Sequence, residues 1–237
     1  LATQLQGSWV SGGVTGAGLL DMTGQIAKAP ANKLHQFVTT QAPLEARQFL
    51  RSAITQGQLS QIAVTLKGDL DHFPLNETGV SGAFRLEGPF SGLSVDYDPS
   101  RPGQLNWPQV TQAQGKLVFD KLSLSLDASS AVLLDTTGTR VNVSRLALKV
   151  PDFSLRPDLS LDAVLDGQVK DYLSVLSKAP LPSELKSSLE RLEVAGVLTV
   201  PLSLRMNLDT DQVPKVKGQI NFAGNNISLG ADIPTLE

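Results

Sequence analysis

The feature that most constrains this chain is an alternation of apolar and polar residues that recurs along most of its length. The longest run places apolar residues at six successive second positions: Leu198, Val200, Leu202, Leu204, Met206 and Leu208. Successive side chains of a β-strand point to opposite faces, so such a run predicts a strand with one apolar and one polar face. Shorter runs of the same kind are separated by turn residues at the spacing of antiparallel strands. The sequence therefore predicts a mainly β protein.

The alternation changes phase within residues 115–127, "GKLVFDKLSLSLD". One uninterrupted strand would send the two halves of this stretch to opposite faces. A hairpin with a two-residue loop at Asp120-Lys121 keeps them together, because the residues that flank such a loop face each other. A β-bulge would also reset the phase, and the sequence alone does not distinguish the two. Either way, one face is predicted to hold all five apolar residues: Leu117, Phe119, Leu122, Leu124 and Leu126.

Other gaps between apolar runs are also even in length. Two residues separate Val143 from Leu146, six separate Leu86 from Leu93, and the four residues 223–226 precede Ile227. If each gap is a hairpin loop, every strand returns its apolar side chains to the same side; a β-bulge at each site would reset the phase as well. The sequence thus predicts an extended antiparallel sheet with a single apolar face.

Two regions depart from the β pattern. Residues 44–56 place apolar side chains at helical spacing between Pro43 and Gly57, and residues 170–191 do so on both sides of a proline pair. Pro180 and Pro182 split the second region, so that a further short helix is predicted to begin near Ser183. We expect these short helices to cover part of the apolar face.

Three stretches share an opening glycine, two alternating apolar positions, a turn and a second strand: residues 82–98, 115–127 and 218–230. Such repeats are typical of β arrays in which neighbouring units bury each other's faces. There is no apolar run long enough to span a bilayer and no signal peptide. We therefore expect residues 1–237 to form a single segment of a larger, repetitive β protein.

The charge and the amino-acid composition of the chain exclude several kinds of site and partner. The net charge of -3 and the pI near 5.4 argue against nucleic acid as the main partner. The sequence has no cysteine, which excludes disulfides, thiolate zinc sites and cysteine nucleophiles. With 41% hydrophobic residues, the chain has enough apolar material for a sizeable core.

The residues that resemble a chemical site most closely are Asp69, Asp71 and His72 in "GDLDHFP". Alternate carboxylates beside a histidine are a possible metal-ligand set. The following Phe73-Pro74 favours a simpler interpretation, in which a strand ends and turns into a loop. Phosphate-binding, nucleotide-binding and serine-hydrolase motifs are absent from the sequence. We therefore predict no catalytic residues, no metal, no cofactor and no enzymatic activity.

The order of several longer stretches resembles the YhdP branch of the AsmA-like proteins of Gram-negative bacteria. The likeness covers nearly the whole chain, from "LDMTGQIAKA" through "LEARQFLRSAITQGQLSQIAVTLKGDLDHFPL" to "GQINFAGNNISL". Its most specific elements are Gly68-Asp69-Leu70 with Phe73-Pro74, Tyr97 with Trp107-Pro108, and residues 177–181.

This resemblance implies a periplasmic part of a large cell-envelope protein, whose parent chain is anchored in the inner membrane. It implies a long β-sheet curved into a groove with an apolar lining. It further implies that the groove carries phospholipid between the inner and outer membranes and so supports the outer-membrane barrier, with acyl chains as the partner and no enzymatic step.

Three function classes follow. The first is a lipid conduit with an accessible apolar face, and the second is a structural or assembly module of the envelope whose apolar face is closed core. The third is a carbohydrate-processing β protein, which lacks aromatic platforms and a credible carboxylate pair. For the conduit, the predicted lining is the strand and hairpin residues already described: Leu117, Phe119, Leu122, Leu124, Leu126, Leu198, Val200, Leu202, Leu204, Met206 and Leu208.

Overall fold

The alternating runs form one open, curved sheet of eleven strands, all paired antiparallel. The computed structural model describes residues 3–13, 16–36, 44–96, 107–153, 157–179, 183, 187, 193–207, 215–219 and 221–228. The strands are β1 (Thr3–Val10), β2 (Leu19–Pro30), β3 (Ile54–Asp69), β4 (Gly82–Val95), β5 (Gln109–Asp120), β6 (Ser123–Leu134), β7 (Arg140–Val150), β8 (Asp158–Gln168), β9 (Glu193–Asn207), β10 (Lys215–Gly218) and β11 (Asn221–Ser228).

Strands lie side by side in the order of the chain from β1 to β10, and β11 pairs with β9. β10 pairs with residues 202–205 of β9 and β11 with residues 193–199, so the two short strands share one edge of β9. Each strand reverses the direction of the one before it. The connections therefore alternate between the two ends of the sheet, which we name the helical end and the loop end.

The helical end carries the three longest connections, which follow β2, β4 and β8. A 3₁₀ helix (Ala31–Gln36) and α1 (Leu44–Ala53) join β2 to β3, and α2 (Val169–Lys178) follows β8. Both predicted helical regions are confirmed, but the first ends earlier than predicted, because β3 already begins at Ile54. The helix predicted near Ser183 lies mostly outside the described residues.

The predicted hairpin at the phase change is confirmed, but its loop lies one residue later. Phe119 pairs with Leu124 and Asp120 with Ser123, so the two loop residues are Lys121 and Leu122. Lys121 adopts a φ of 52°, the left-handed conformation that two-residue hairpin loops require. Asp120, predicted to be in the turn, is the last residue of β5.

The other predicted hairpins are wrong. Residues 86–93, 143–146 and 222–227 each lie within one continuous strand, in β4, β7 and β11. Register shifts occur inside these gaps, between Phe90 and Leu93, Val143 and Arg145, and Ala223 and Asn226. A bulge adds one residue to a strand and so reverses its inside–outside phase, as a hairpin loop would. The bulge alternative is therefore the correct one at these three sites.

The bulges of the middle strands lie in a band across the sheet. Leu59, Phe90, Gly115, Ala128 and Leu146 pair successively from β3 to β7 in one transverse row. Left-handed residues that accompany the bulges lie within about three positions of this row, at φ 46°, 61° and 54° for residues 61, 92 and 112. Bulges bend strands and increase twist, so a band of them curves the sheet along one line.

Gly115 lies in this transverse row where β5 and β6 approach closely. A Cβ atom at Gly115 would lie 2.0 Å from the carbonyl oxygen of Asp127 and 2.7 Å from the Cα of Ala128. The partner atoms belong to the backbone, so they cannot move aside without changing the register of the pair.

We predict that Gly115→Ala lowers the free energy of unfolding by about 1–3 kcal/mol, because the added methyl group pushes two paired strands apart. Gly167→Ala is the matched control. Its new Cβ would meet Tyr172 and Val141 at 3.4 Å or more, so its stability should change by less than about 1 kcal/mol. Urea unfolding of both variants measures the difference. Equal stability of the two variants would contradict the close approach.

Candidate functional site

One face of the sheet carries rows of apolar side chains that cross most of its strands. One row runs from Val64 through Leu86, Phe119 and Leu124 to Val150. The next row runs through Leu117, Leu126, Leu148, Leu161 and Leu204 in β5 to β9. These residues belong to one continuous hydrophobic cluster that spans the sheet. We name this surface the apolar face and the opposite surface the polar face.

The middle of the apolar face is buried. Leu117 and Phe119 are both 4% exposed although no described helix packs on β5. Both belong to the hydrophobic cluster, in which the inward side chains of the middle strands bury one another. This buried centre is closed core.

Four phenylalanine rings cross the buried centre near the loop end. The ring centroids are 4.9 Å apart for Phe73 and Phe84, 5.7 Å for Phe84 and Phe119, and 6.4 Å for Phe119 and Phe153. These separations are typical of favourable aromatic pairs. Phe73 and Phe153 come from loops, so the row connects two loops through two strands.

Two loops close the loop end over these rings. Leu75, in the loop after β3, and Phe153, in the loop after β7, are each 0% exposed. The backbone N–H of Phe153 donates to the carbonyl oxygen of Leu122 at 2.9 Å, which fixes the second loop on the hairpin turn. Leu122 is buried in its turn position, at 3% exposure.

The helical end is covered in part by α2, which packs on β7, β8 and β9. Val175 of α2 belongs to the hydrophobic cluster. The Tyr172 hydroxyl donates to the carbonyl oxygen of Leu198 at 3.4 Å, and the Ser174 and Thr139 hydroxyls lie 3.0 Å apart. Burial, with a smaller contribution from the charge of Asp166, raises the pKa of Tyr172, so the phenol keeps its proton at neutral pH. Polar contacts therefore hold α2 over this end of the sheet.

The loop between β6 and β7, whose Thr139 contacts Ser174 of α2, is ordered by the buried carboxylate of Asp135. Its Oδ1 accepts hydrogen bonds from the backbone N–H groups of Thr137 and Thr139, each at 2.8 Å, and from the Thr137 hydroxyl. Burial alone would raise the pKa of Asp135, but these hydrogen bonds outweigh it and hold the pKa below its usual value. Asp135 is 7% exposed, so the ionised form depends on them.

The apolar face is accessible along both lateral flanks of the sheet. On β9, Val200, Leu202, Leu204 and Met206 are half-buried, and we name this group the β9 flank. On β1, Leu5 is 49% and Trp9 58% exposed, and their register partners Gly24 and Leu20 on β2 place them on the same side as Val64. The face is thus most deeply buried in the middle, although Leu124 and Leu148 there are half-buried, and it is accessible on either side.

The predicted lining residues divide between these environments. Four hairpin residues and one β9 residue are buried, Leu124 is half-buried, and the rest of the β9 run forms the β9 flank. Leu208 lies outside the described residues. The buried set is Leu117, Phe119, Leu122, Leu126 and Leu198, with exposures of 3–9%.

The Asp69–His72 stretch is a strand end that turns into a loop, as its simpler interpretation predicted. Asp69 ends β3 and caps a 3₁₀ helix (Leu70–His72) by accepting from the backbone N–H of Asp71 at 3.0 Å. Asp71 in turn accepts from the backbone N–H of Ala17 at 2.8 Å, and His72 Nδ1 lies 3.2 Å from Glu77. Among the described residues, no group of three or more His, Asp or Glu side chains is arranged to hold a metal ion.

The sequence pattern did not indicate several residues that shape this face. Phe153 and Leu75 lie in loops, where period-two alternation gives no information about burial. Asp135 is recognisable only by its type, because an aspartate followed by Thr-Thr-Gly is typical of a side-chain-capped turn.

The described helices include none long and apolar enough to cross a membrane.

Comparison with known proteins gives one match. A family model described as "YhdP protein" matches residues 3–237, which is nearly the whole chain. No curated protein and no solved structure gives a significant match.

We predict that truncation of a leucine is far more costly in the buried centre than on the β9 flank. Leu117→Ala should lower the free energy of unfolding by about 2–5 kcal/mol, because it leaves a cavity in a closed core. Leu204→Ala removes the same atoms from a half-buried site and should cost less than half as much. Chemical denaturation measures both, and similar losses would contradict the division of the face.

A second prediction concerns pH. Because the folded-state pKa of Asp135 lies below its unfolded value, its stabilising contribution is full above about pH 4 and is lost as pH falls through the folded pKa. Asp135→Ala should therefore destabilise the protein by about 1–3 kcal/mol at pH 7, since two buried N–H donors lose their acceptor. Asp127→Ala, which removes an exposed carboxylate from β6, is the control.

The deficit of the Asp135→Ala variant should shrink when unfolding is measured near pH 3. A deficit that stays constant between the two pH values would show that the charge of Asp135 has no role in ordering the loop.

Proposed function

Because this chain belongs to the YhdP protein family, we propose that it is part of a non-enzymatic lipid-transfer protein of the cell envelope. In this proposal, acyl chains lie on the flanks of the apolar face while their polar headgroups remain in water. The family suggests AsmA-like lipid transport and an envelope association.

The observation that supports it best is the accessible apolar surface of the β9 flank. A strand in a closed core would bury every inward side chain, as β5 buries Leu117 and Phe119. On β9, four successive inward side chains stay half-buried instead. Leu202 faces Ala163 on one side and Gly218 on the other, so its neighbours are small. These residues leave room beside Leu202 for part of an acyl chain.

The chemistry of such a surface suits a lipid that must move. Each methylene group that leaves water contributes about 0.8 kcal/mol, and this contribution is not directional. An acyl chain can therefore shift along the rows of leucine and valine side chains without breaking specific bonds. Adjacent strands are about 4.8 Å apart, so an acyl chain that moves along a row meets the next apolar side chain after about that distance.

We extend the proposal to phospholipid as the cargo and to passage between the inner and outer membranes. The parent chain would be anchored in the inner membrane, and the described strands would lie in the periplasm.

A second candidate function rests on a different observation. The buried centre, with its row of four phenylalanine rings, is packed like an ordinary protein core. If the flanks are covered in the assembled protein, the segment is a structural or assembly module of the envelope. The two candidates differ in whether lipid reaches the β9 flank.

Site-specific photo-crosslinking tests the proposal. A photoreactive residue at Leu202 should crosslink to phospholipid when the protein is isolated from cells, because this position lies on the β9 flank. The same residue at Ser203 is the matched control, since Ser203 is also half-buried but points to the polar face toward Asp162. Crosslinking at neither position, or equally at both, would count against lipid on the apolar face.

Charged substitutions separate the two candidate functions. Leu202→Glu should leave the protein folded, because water reaches this position when lipid is absent, while lipid crosslinking from Leu204 should fall. Leu117→Glu should unfold the protein, because an unpaired charge in a closed core costs several kcal/mol. Thermal melting and crosslinking of the same variants give the result. Unfolding of both variants would support the closed structural module.

A further inference from the structure

The polar face of β7 to β10 carries an unusual excess of basic side chains. Strand register places Arg145, Val164 and Pro201 in one row, and Lys149, Ser160 and Arg205 in another two positions away. Lys215 lies opposite Arg205, and Lys217 lies opposite Ser203. This basic patch holds five basic side chains against three carboxylates of β8 on the same face, Asp158, Asp162 and Asp166, in a chain whose net charge is -3. It comprises Arg145, Lys149, Arg205, Lys215 and Lys217.

Asp162 neutralises one of these five charges. Its two carboxylate oxygens accept from one guanidinium nitrogen of Arg205 at 3.1 and 3.0 Å, and Oδ1 also accepts from the Ser203 hydroxyl. The hydrogen bonds from Ser203 and Arg205 lower the pKa of Asp162, so it is ionised at neutral pH. Within the described ranges, Arg145 and Lys217 have no ion pair. Positive charge is therefore left over at the patch.

The polar face of β2 to β5 is arranged differently. There, Lys67 pairs with Asp21 at 3.0 Å, and Arg85 pairs with Asp120 at 2.7 Å. Lys116 pairs with a carboxylate as well, that of Glu87, at 3.0 Å. Basic side chains on that half of the polar face are thus matched by acidic ones. The excess belongs to β7–β10 and is not a general property of the polar face.

A surface pocket of about 470 Å³ lies within the basic patch. Its lining includes the apolar Ala147, Val164 and Pro201, the basic Arg145 and Lys217, and Asp162, whose carboxylate is paired with Arg205. The backbones of β7 and β10 are about 14 Å apart, three strand spacings. Two long side chains that reach inward from these strands can therefore meet a small anion between them. The pocket volume falls in the usual range for small-molecule sites.

We propose that this pocket binds a phosphate group, either free or as a phosphate ester. The Arg145 guanidinium presents a planar fork that matches two phosphate oxygens, and the Lys217 ammonium adds a second charge from the opposite side. Val164 and Pro201 add apolar surface to the pocket, and Gln219 is a further polar residue of its lining. Most of the lining residues belong to the polar face, whereas Ala163, Leu202 and Gly218, which form one row of the apolar face, contribute the rest.

Titration of sn-glycerol 3-phosphate and of inorganic phosphate into the 237-residue chain, followed by NMR, tests the proposal. Both should bind saturably, and affinity should fall as salt is raised from about 20 to about 200 mM, because the charges are exposed. The double variant R145Q/K217Q should lose about tenfold or more in affinity. Arg145→Lys with Lys217→Arg, which keeps both charges, should retain binding.

The matched control is K67Q/K116Q, which removes the same charge from the paired half of the polar face. Its affinity for glycerol phosphate should equal that of the unmodified chain, and melting curves confirm that each variant is folded. Equal losses in the two double variants would overturn the proposal, since they would show a general effect of net charge. Absence of saturable binding would overturn it as well.

A competition experiment distinguishes the two sources of the phosphate. Vesicles of phosphatidylglycerol should displace glycerol phosphate if the pocket receives a lipid headgroup, whereas phosphatidylcholine vesicles are the control for zwitterionic lipid. Displacement by neither vesicle identifies a soluble phosphate ester as the ligand class.

Discussion

The structure depends on keeping apolar side chains on one side of a sheet while its strands bend. A strand that curves needs bulges, and each bulge adds a residue that would reverse the alternation beyond it. The sequence changes phase at the bulges of β4 and β7, so that Leu86 and Leu93, or Val143 and Leu146, share a face. Without this match, the outer half of each strand would turn apolar residues into water.

The same curvature determines which part of the apolar face is reachable. Where the bulge band crosses the middle strands, inward side chains such as Leu117 and Leu93 are buried. Towards β1 and β9 the band ends, and inward residues such as Leu5 and Leu204 stay accessible. A sheet of this kind can combine a stable centre with accessible flanks, since burial and access reside in different strands.

Period-two alternation predicted the antiparallel sheet and its single apolar face, because it reports directly on strands. Helical spacing of apolar residues predicted the positions of both helices. The alternation placed three hairpins where there are bulges, because a two-residue loop and an inserted residue change the phase equally. The alternation does not predict which inward residues are buried. Leu117 and Leu204 lie in runs of the same period, but Leu117 is buried in a middle strand and Leu204 is half-buried on the β9 flank. The basic patch depends on register between distant strands, which the alternation does not specify.

The most direct test of lipid on an accessible flank is methyl NMR of the delipidated chain with a phospholipid that carries a nitroxide on its acyl chain. The account predicts that the methyl signals of Val200 and Leu204 broaden, whereas those of Leu117, in the buried centre, keep their intensity. Broadening of none of these signals, or equal broadening of all three residues, would contradict the account.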